Sequence, residues 1–441
     1  MSDVPDDEND QPLPEGAEQP STFALLCNSP EPPQPFEVLQ RLTDAGYKAE
    51  VISEDAPDTA VWARHLKIDN DARPVQVCCL PRDEEFTPWE WTPARWRDEE
   101  EYELARRSRW MLLVRMHYEP DDEPNEHFHA HLKLADVIAD GLATACIDMN
   151  SFILRSKTTL HELAACKVAP APEEMYQVHE SPGGDIYWLH TRGLKRFSMP
   201  ELELIGVPRE SLHDALTAFQ WLIAYILPVY IPEQGLDFSF GAEVAIRLAP
   251  LEDVLKQMDR SALGGRDDRK RTGLEGWRMV VCDQAKPVGI QGFLKSVQGD
   301  PIFWLSDEES ARRAHLARVR FGHAAAAWYS SQYAHRRMAV KLGVPFNDNC
   351  DDLSASLNEE ELPEGASREH MWFELQAIEG KSLVAKLESE PVYATYLKKG
   401  DTYHLPIHQL SEFNLTLDGQ TYSPATIAEL DQVTLRTGRG S

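Results

Sequence analysis

The element richest in potential chemistry is His127-Phe128-His129-Ala130-His131. On a strand the three imidazoles would share one face; on a helix His127 and His131 would stand one turn apart. Either placement could offer two ligands to zinc, which needs further donors that the sequence does not identify. The alternative is an exposed helix start that happens to be rich in histidine. His127, His129 and His131 are therefore weak metal candidates, and neither metal nor cofactor is expected.

The remaining catalytic templates fail on single positions. His161-Glu162-Leu163-Ala164-Ala165 begins like a zinc-protease helix, but alanine stands where the second histidine ligand belongs. Gly380-Lys381-Ser382 imitates the end of a phosphate loop, yet Leu375 takes the place of its first glycine. Ser239 lacks the leading glycine of a nucleophile elbow. Arg266-Asp267-Asp268-Arg269-Lys270-Arg271 reads as a solvated loop, since two acids break its basic run. Glu201 and Glu203 would share a strand face, and exposed carboxylates are the default there. Cys78-Cys79 closes an apolar strand and reads as a pair of small buried hydrophobes.

Two further patterns suggest binding. In Trp188-Leu189-His190 an extended chain puts Trp188 and His190 on one face, either lining a groove or capping a buried tryptophan. In the C-terminal part His370, Trp372 and Glu374 alternate against Met371, Phe373 and Leu375. One face is then apolar, and the other presents an aromatic between a histidine and an acid. That suits a recognition surface, and also a barrel with two wet faces.

The elements that must hold these residues follow from periodicity. Strands are expected at 23–27, 48–52, 74–80, 110–116, 143–148, 187–191, 201–205, 244–248 and 277–282, with helices over 35–45, 127–145, 157–165 and 210–227. The uncharged run Ala215–Pro232 holds two tyrosines, Gln220 and Pro228 between Asp214 and Glu233, so it reads as a buried core helix and not a membrane span. Ser306-Asp307-Glu308-Glu309 opens as a capping box, and the helix is expected to continue to Leu342-Gly343 as a bridge between domains.

The expected fold class is α+β and multi-domain. The divisions are an acidic disordered tail (1–21), a small α/β domain (22–120) and an α+β domain (121–305), separate from it or continuous with it. The bridging helix (306–343), an acidic linker (344–367) and a small C-terminal β-barrel or rolled sheet (368–441) complete the chain.

The 441 residues carry 73 acids against 44 bases, a net charge of −29. Nucleic-acid binding and attraction to an anionic membrane are disfavoured by that sign. Seven acids in residues 1–20 and seven between Val344 and Ser367, with no base in either, concentrate much of the excess. The acidic start is the reverse of an export signal, and seven scattered cysteines suit free thiols, so a cytoplasmic protein is expected.

Two stretches carry resemblances. Cys146-Ile147-Asp148-Met149-Asn150-Ser151, Pro170-Ala171-Pro172 and Tyr187-Trp188-Leu189-His190-Thr191-Arg192-Gly193-Leu194, followed by Met199-Pro200-Glu201-Leu202-Glu203, resemble a bacterial family of unknown function. That family's element reads Trp-Leu-His-Thr-His-Gly-Leu, and Arg192 replaces its second histidine. Glu369-His370-Met371-Trp372-Phe373-Glu374, Glu390-Pro391-Val392-Tyr393 and Lys399-Gly400-Asp401 are similar to the YegJ-like bacterial domain, also of unknown function.

These resemblances imply an accessory or immunity-like protein near a toxin system, and no catalytic residue. The expected function is non-catalytic binding of another protein, with a basic partner suited to the negative surface and His190, Arg192, Glu201, Glu203, His370, Trp372 and Glu374 as binding candidates. The alternative is a metal-assisted hydrolase built on the three clustered histidines.

Overall fold

The structure is a computed structural model that describes residues 19–69, 74–91, 94–95, 99–119, 122–227, 237–240, 244–272, 274, 276–283, 289–296, 307–330, 333–347, 367–424 and 426–427. The chain divides into two compact units, Met1–Trp304 and Leu305–Ser441. Most of the acidic tail, most of the acidic linker and the Ser306 cap lie outside the described residues.

Among the described residues the first unit contains two sheets. The eight-stranded one runs in the order β2-β3-β4-β6-β1-β7-β8-β5. Its strands are β1 (Ser21–Cys27), β2 (Ala49–Ser53), β3 (Trp62–Ile68), β4 (Pro74–Pro81), β5 (Ala94–Arg95), β6 (Trp110–Met116), β7 (Ala143–Asp148) and β8 (Ile153–Ser156). β1 is apolar at nearly every position because both of its faces are covered. Phe23 and Leu25 pack with Val38 and Leu42 of helix Pro35–Asp44 and with Phe128 and Leu132 of helix Pro124–Ala139. Ala24 and Leu26 pack on the other side with Ala105 of helix Glu99–Arg106.

The second sheet runs β12-β13-β14-β11-β10-β9. Its strands are β9 (Gln177–Gly183), β10 (Ile186–Arg192), β11 (Glu201–Pro208), β12 (Asp237–Phe240), β13 (Val244–Pro250) and β14 (Arg278–Asp283), all antiparallel except the β11–β14 pair. Leu189, Leu202, Leu204 and Val281 join helix Leu212–Ile226 and the first sheet in one apolar cluster. That helix buries Ala215, Ala218, Phe219, Leu222, Ile223 and Ile226 and exposes Tyr225. Among the described residues no helix is long and apolar enough to cross a membrane.

The second unit is one open antiparallel sheet, β18-β17-β16-β15-β19-β20. It comprises β15 (Arg336–Phe346), β16 (Ser367–Glu379), β17 (Ser382–Leu387), β18 (Thr402–Pro406), β19 (Leu410–Leu417) and β20 (Gln420–Tyr422). Helix Asp307–Tyr329 lies on one face, where Ala317, Phe321 and Ala324 meet Met338, Val340, Leu342, Phe413 and Leu415.

Two expectations are corrected here. The helix stops at Tyr329 instead of running to Leu342, and residues 336–346 form β15 inside the sheet. Met338, Val340, Leu342 and Val344 recur with period two, a strand signal hidden behind the preceding Ala- and Arg-rich run. The sheet also does not close into a barrel, because β18 and β20 remain its two edges.

Candidate functional sites

The strand register of the second sheet builds a polar grid on the face turned away from the shared core. His179 pairs with His190, which pairs with Glu203; Gln177 pairs with Arg192, and Glu201 with Arg278. Alternation puts Trp188, His190 and Arg192 on one side, with Leu189 opposite in the apolar cluster.

Glu203 is the hub. Its carboxylate is 0% exposed and accepts from Trp188 Nε1 at 2.9 Å, Arg269 Nη1 at 2.7 Å and Arg278 Nη1 at 3.2 Å. A second nitrogen of Arg269 ion-pairs with the same carboxylate, and the guanidinium lies over the Trp188 ring, 4.7 Å from its centroid. Arg269 also donates from Nε to Gly264 O at 2.7 Å. A buried carboxylate with this many donors fixes the positions of its partners.

Three expectations change at this point. Glu201 and Glu203 are buried, not exposed. The supposed solvated loop at 266–271 is part of helix Arg266–Thr272, which delivers Arg269 into the hub. Glu201, although near the grid, serves the turn after β10: it accepts from Thr191 Oγ1 at 2.7 Å and from the Gly193 amide at 2.8 Å. Gly193 has φ +117° there, and a β-carbon would stand 2.6 Å from Met175 O.

His179 and His190 stack almost parallel, with ring centroids 5.2 Å apart, and His190 also tilts against Trp188 at 4.8 Å. Neither imidazole hydrogen-bonds to any described residue, and His179 Nε2 and His190 Nδ1 are buried without a partner. Burial, followed by the Arg192 and Arg278 charges, pushes the His179 pKa down to about 4. Burial, then His179 and the arginines, pushes that of His190 down to about 3. Both rings are neutral at neutral pH.

The clustered histidines are not an exposed helix start. All three lie on helix Pro124–Ala139 and are buried, at 6%, 0% and 0% exposure for His127, His129 and His131. They face three different surroundings. His127 Nδ1 stands 3.3 Å from Asp122. His129 faces the Leu163 and Ala164 carbonyls of helix Lys157–Ala165. His131 Nε2 lies 3.1 Å from Val114 O, an acceptor only, so that nitrogen carries the proton. Its Nδ1, 2.8 Å from Ser21 Oγ, then accepts from the hydroxyl and has no lone pair left for a metal.

Ser21 in turn accepts from Arg196 Nη1 at 3.3 Å, and Arg196 ion-pairs with buried Asp148. Sequence reasoning missed this network, although Asp148 and Arg196 lie in or beside the stretches that carry the first resemblance. Among the described residues no group of three His, Cys, Asp or Glu side chains could hold a metal ion.

In the second unit the alternation of β16 is as expected. Met371, Phe373 and Leu375 are buried under the helix, while His370, Trp372 and Glu374 lie on the other face. Lys341 of β15 stands over the Trp372 ring at 5.6 Å and 3.7 Å from Glu412 of β19. Arg337 is held between Glu374, at 3.6 Å, and Glu388. His370 Nδ1 lies 3.0 Å from Ser411 Oγ, and partial desolvation, then Lys341 and Arg368, lower its pKa. The acids on this face already have cationic neighbours, so the face does not by itself select a basic partner.

The structure thus brings His190 and Glu203 together with Arg192 close by, and His370, Trp372 and Glu374 separately in the second unit. Residues 175–280 match the family described as "Protein of unknown function (DUF4026) C-terminal". No curated protein and no solved structure matches the chain. Residues 340–435, which carry the Trp372 face, match "Uncharacterized protein conserved in bacteria (DUF2314)", so a part of each unit is similar to a family of unknown function.

Proposed function

We propose that this chain works by binding another protein, and that the contact is made by the outward face of the C-terminal sheet around Trp372. The observation that carries this reading is a partly exposed tryptophan under the Lys341 ammonium, on a sheet whose opposite face the helix already fills. Aromatic side chains, tryptophan above all, are the usual anchors of protein interfaces, with polar and charged groups at the rim. The Arg337–Glu374, Arg337–Glu388 and Lys341–Glu412 pairs are solvated, so their ions can exchange partners at little cost.

Beside this face, Tyr393 is exposed and stacks on Phe346 at 4.8 Å. The Glu369 carboxylate fixes its loop by accepting from the amides of Val392, Tyr393 and Ala394 at 2.8–2.9 Å. The accessory, immunity-like role is suggested by the resemblance to the YegJ-like bacterial domain read from residues such as Glu369-His370-Met371-Trp372-Phe373-Glu374. The setting we propose is the cytoplasm, where thiols such as Cys27 and Cys79, held up to about 12 by burial, stay reduced.

The test is affinity capture by the full chain from its host cells, comparing wild type with Trp372→Ala. A partner recovered by the wild type should fall by about tenfold or more with the variant, as loss of a hot-spot aromatic requires. Equal recovery by both proteins would refute the assignment of the surface.

A further inference from the structure

We infer that the polar grid of the second sheet is a binding site for a small oxyanion, held by Arg192, Arg278 and the His179–His190 pair. The argument begins with charge. Among the described residues the charges that bear on His179 and His190 are those of Arg192, Arg269 and Arg278, and one carboxylate, Glu203, pairs with two of them. A cationic surplus stands out in a chain of net charge −29.

It continues with donors that have nothing to donate to. Arg278 is 6% exposed and spends Nη1 on Glu203, but its Nε is buried without an acceptor. His190, 4% exposed, leaves Nδ1 without a partner, and His179 leaves Nε2. The Arg192 side chain makes no hydrogen bond or ion pair with a described residue. Its guanidinium instead stands over the Phe152 ring, 4.9 Å from the centroid, a contact that uses none of its N–H donors in a hydrogen bond.

Burying a donor without an acceptor is costly to the fold. These donors and cations, beside one unpartnered acceptor at the rim, Gln177 Oε1, complement a ligand that brings oxygen atoms and negative charge. The same cations exclude the other reading of two adjacent histidines, since a metal ion would be repelled where an anion is drawn in. Gln177, His179, Arg192 and Lys195 are only partly buried and form the accessible rim. The shared chemistry is that of a carboxylate or a phosphate group. The neutral imidazoles serve as hydrogen-bond donors, and no covalent step is involved.

The test uses the full-length protein, with inorganic phosphate and succinate titrated separately against chloride at constant ionic strength. The readouts are the melting temperature and the His179 and His190 ring resonances. One of the two anions should bind saturably, raise the melting temperature and raise the pKa of both imidazoles; which one binds more tightly identifies the source of the oxyanion. Arg192→Gln, which breaks no ion pair in the fold, should weaken that binding about tenfold while the anion-free melting temperature stays put. His179→Gln should weaken it as well, and guards against an unexpected folding effect of the first variant. Absence of saturable binding by either anion would overturn the proposal, as would binding unchanged in both variants.

Discussion

In the first unit Trp188, His190 and Glu203 meet beneath helix Arg266–Thr272; in the second, His370, Trp372 and Glu374 alternate along one strand and face outward. The side-chain types are the same, and each set has cationic neighbours. The difference is water. Glu203 is fully enclosed, and its attraction to Arg269 and Arg278 acts in a low dielectric. Glu374 and Arg337 stay solvated, so their pairing is weak and replaceable. Enclosure turns the first set into a fixed frame whose leftover donors await a ligand. Exposure leaves the second set free to trade its ions for those of a partner. The same chemistry thus supports a small, rigid site in one unit and a broad contact surface in the other.

The largest break in this contrast is Glu203→Ala. It strands Arg269, Arg278 and the Trp188 indole N–H without their acceptor, and should destabilise the first unit by about 3–5 kcal/mol in denaturant melts. The corresponding change in the second unit, Arg337→Ala, should cost less than about 1 kcal/mol. Equal losses would mean that the two surroundings do not differ as described.

A smaller effect separates the units by pH. The folded pKa values of His179 and His190, about 4 and about 3, lie below the ordinary histidine value near 6.5. Below about pH 6.5 the unfolded chain therefore binds protons that the folded chain refuses. Their contribution to stability is complete above that pH and is lost as pH falls toward about 4 and then about 3. Melting temperatures between pH 7 and pH 4 should decline less steeply in a His179→Gln/His190→Gln double variant than in the wild type. Parallel slopes would place those rings in water.

Much of this architecture can be read along the chain. The β16–β17 hairpin, the buried helix at 212–226 and the alternation around Trp372 follow from local periodicity and turn residues. β15 does not, because Met338, Val340 and Leu342 emerge from a run whose alanine and arginine content favours helix. The hub escapes for a different reason. Glu203 meets Arg269 across 66 residues and Arg278 across 75, and only the parallel β11–β14 pairing and helix Arg266–Thr272 bring them together. Exposed acids and a solvated basic run are the sound expectations for each segment alone. Their mutual burial is a tertiary fact. The clustered histidines mislead in the opposite sense, since closeness in sequence on a helix sends His129 away from His127 and His131.

The central claim is that the Trp372 face meets a protein partner, and site-specific photo-crosslinking in host cells tests it most directly. A photoreactive side chain at position 372 should give a discrete adduct with one protein. The same group in place of Val319, exposed on helix Asp307–Tyr329, should give none. No adduct from position 372, or the same adducts from both positions, would contradict the account.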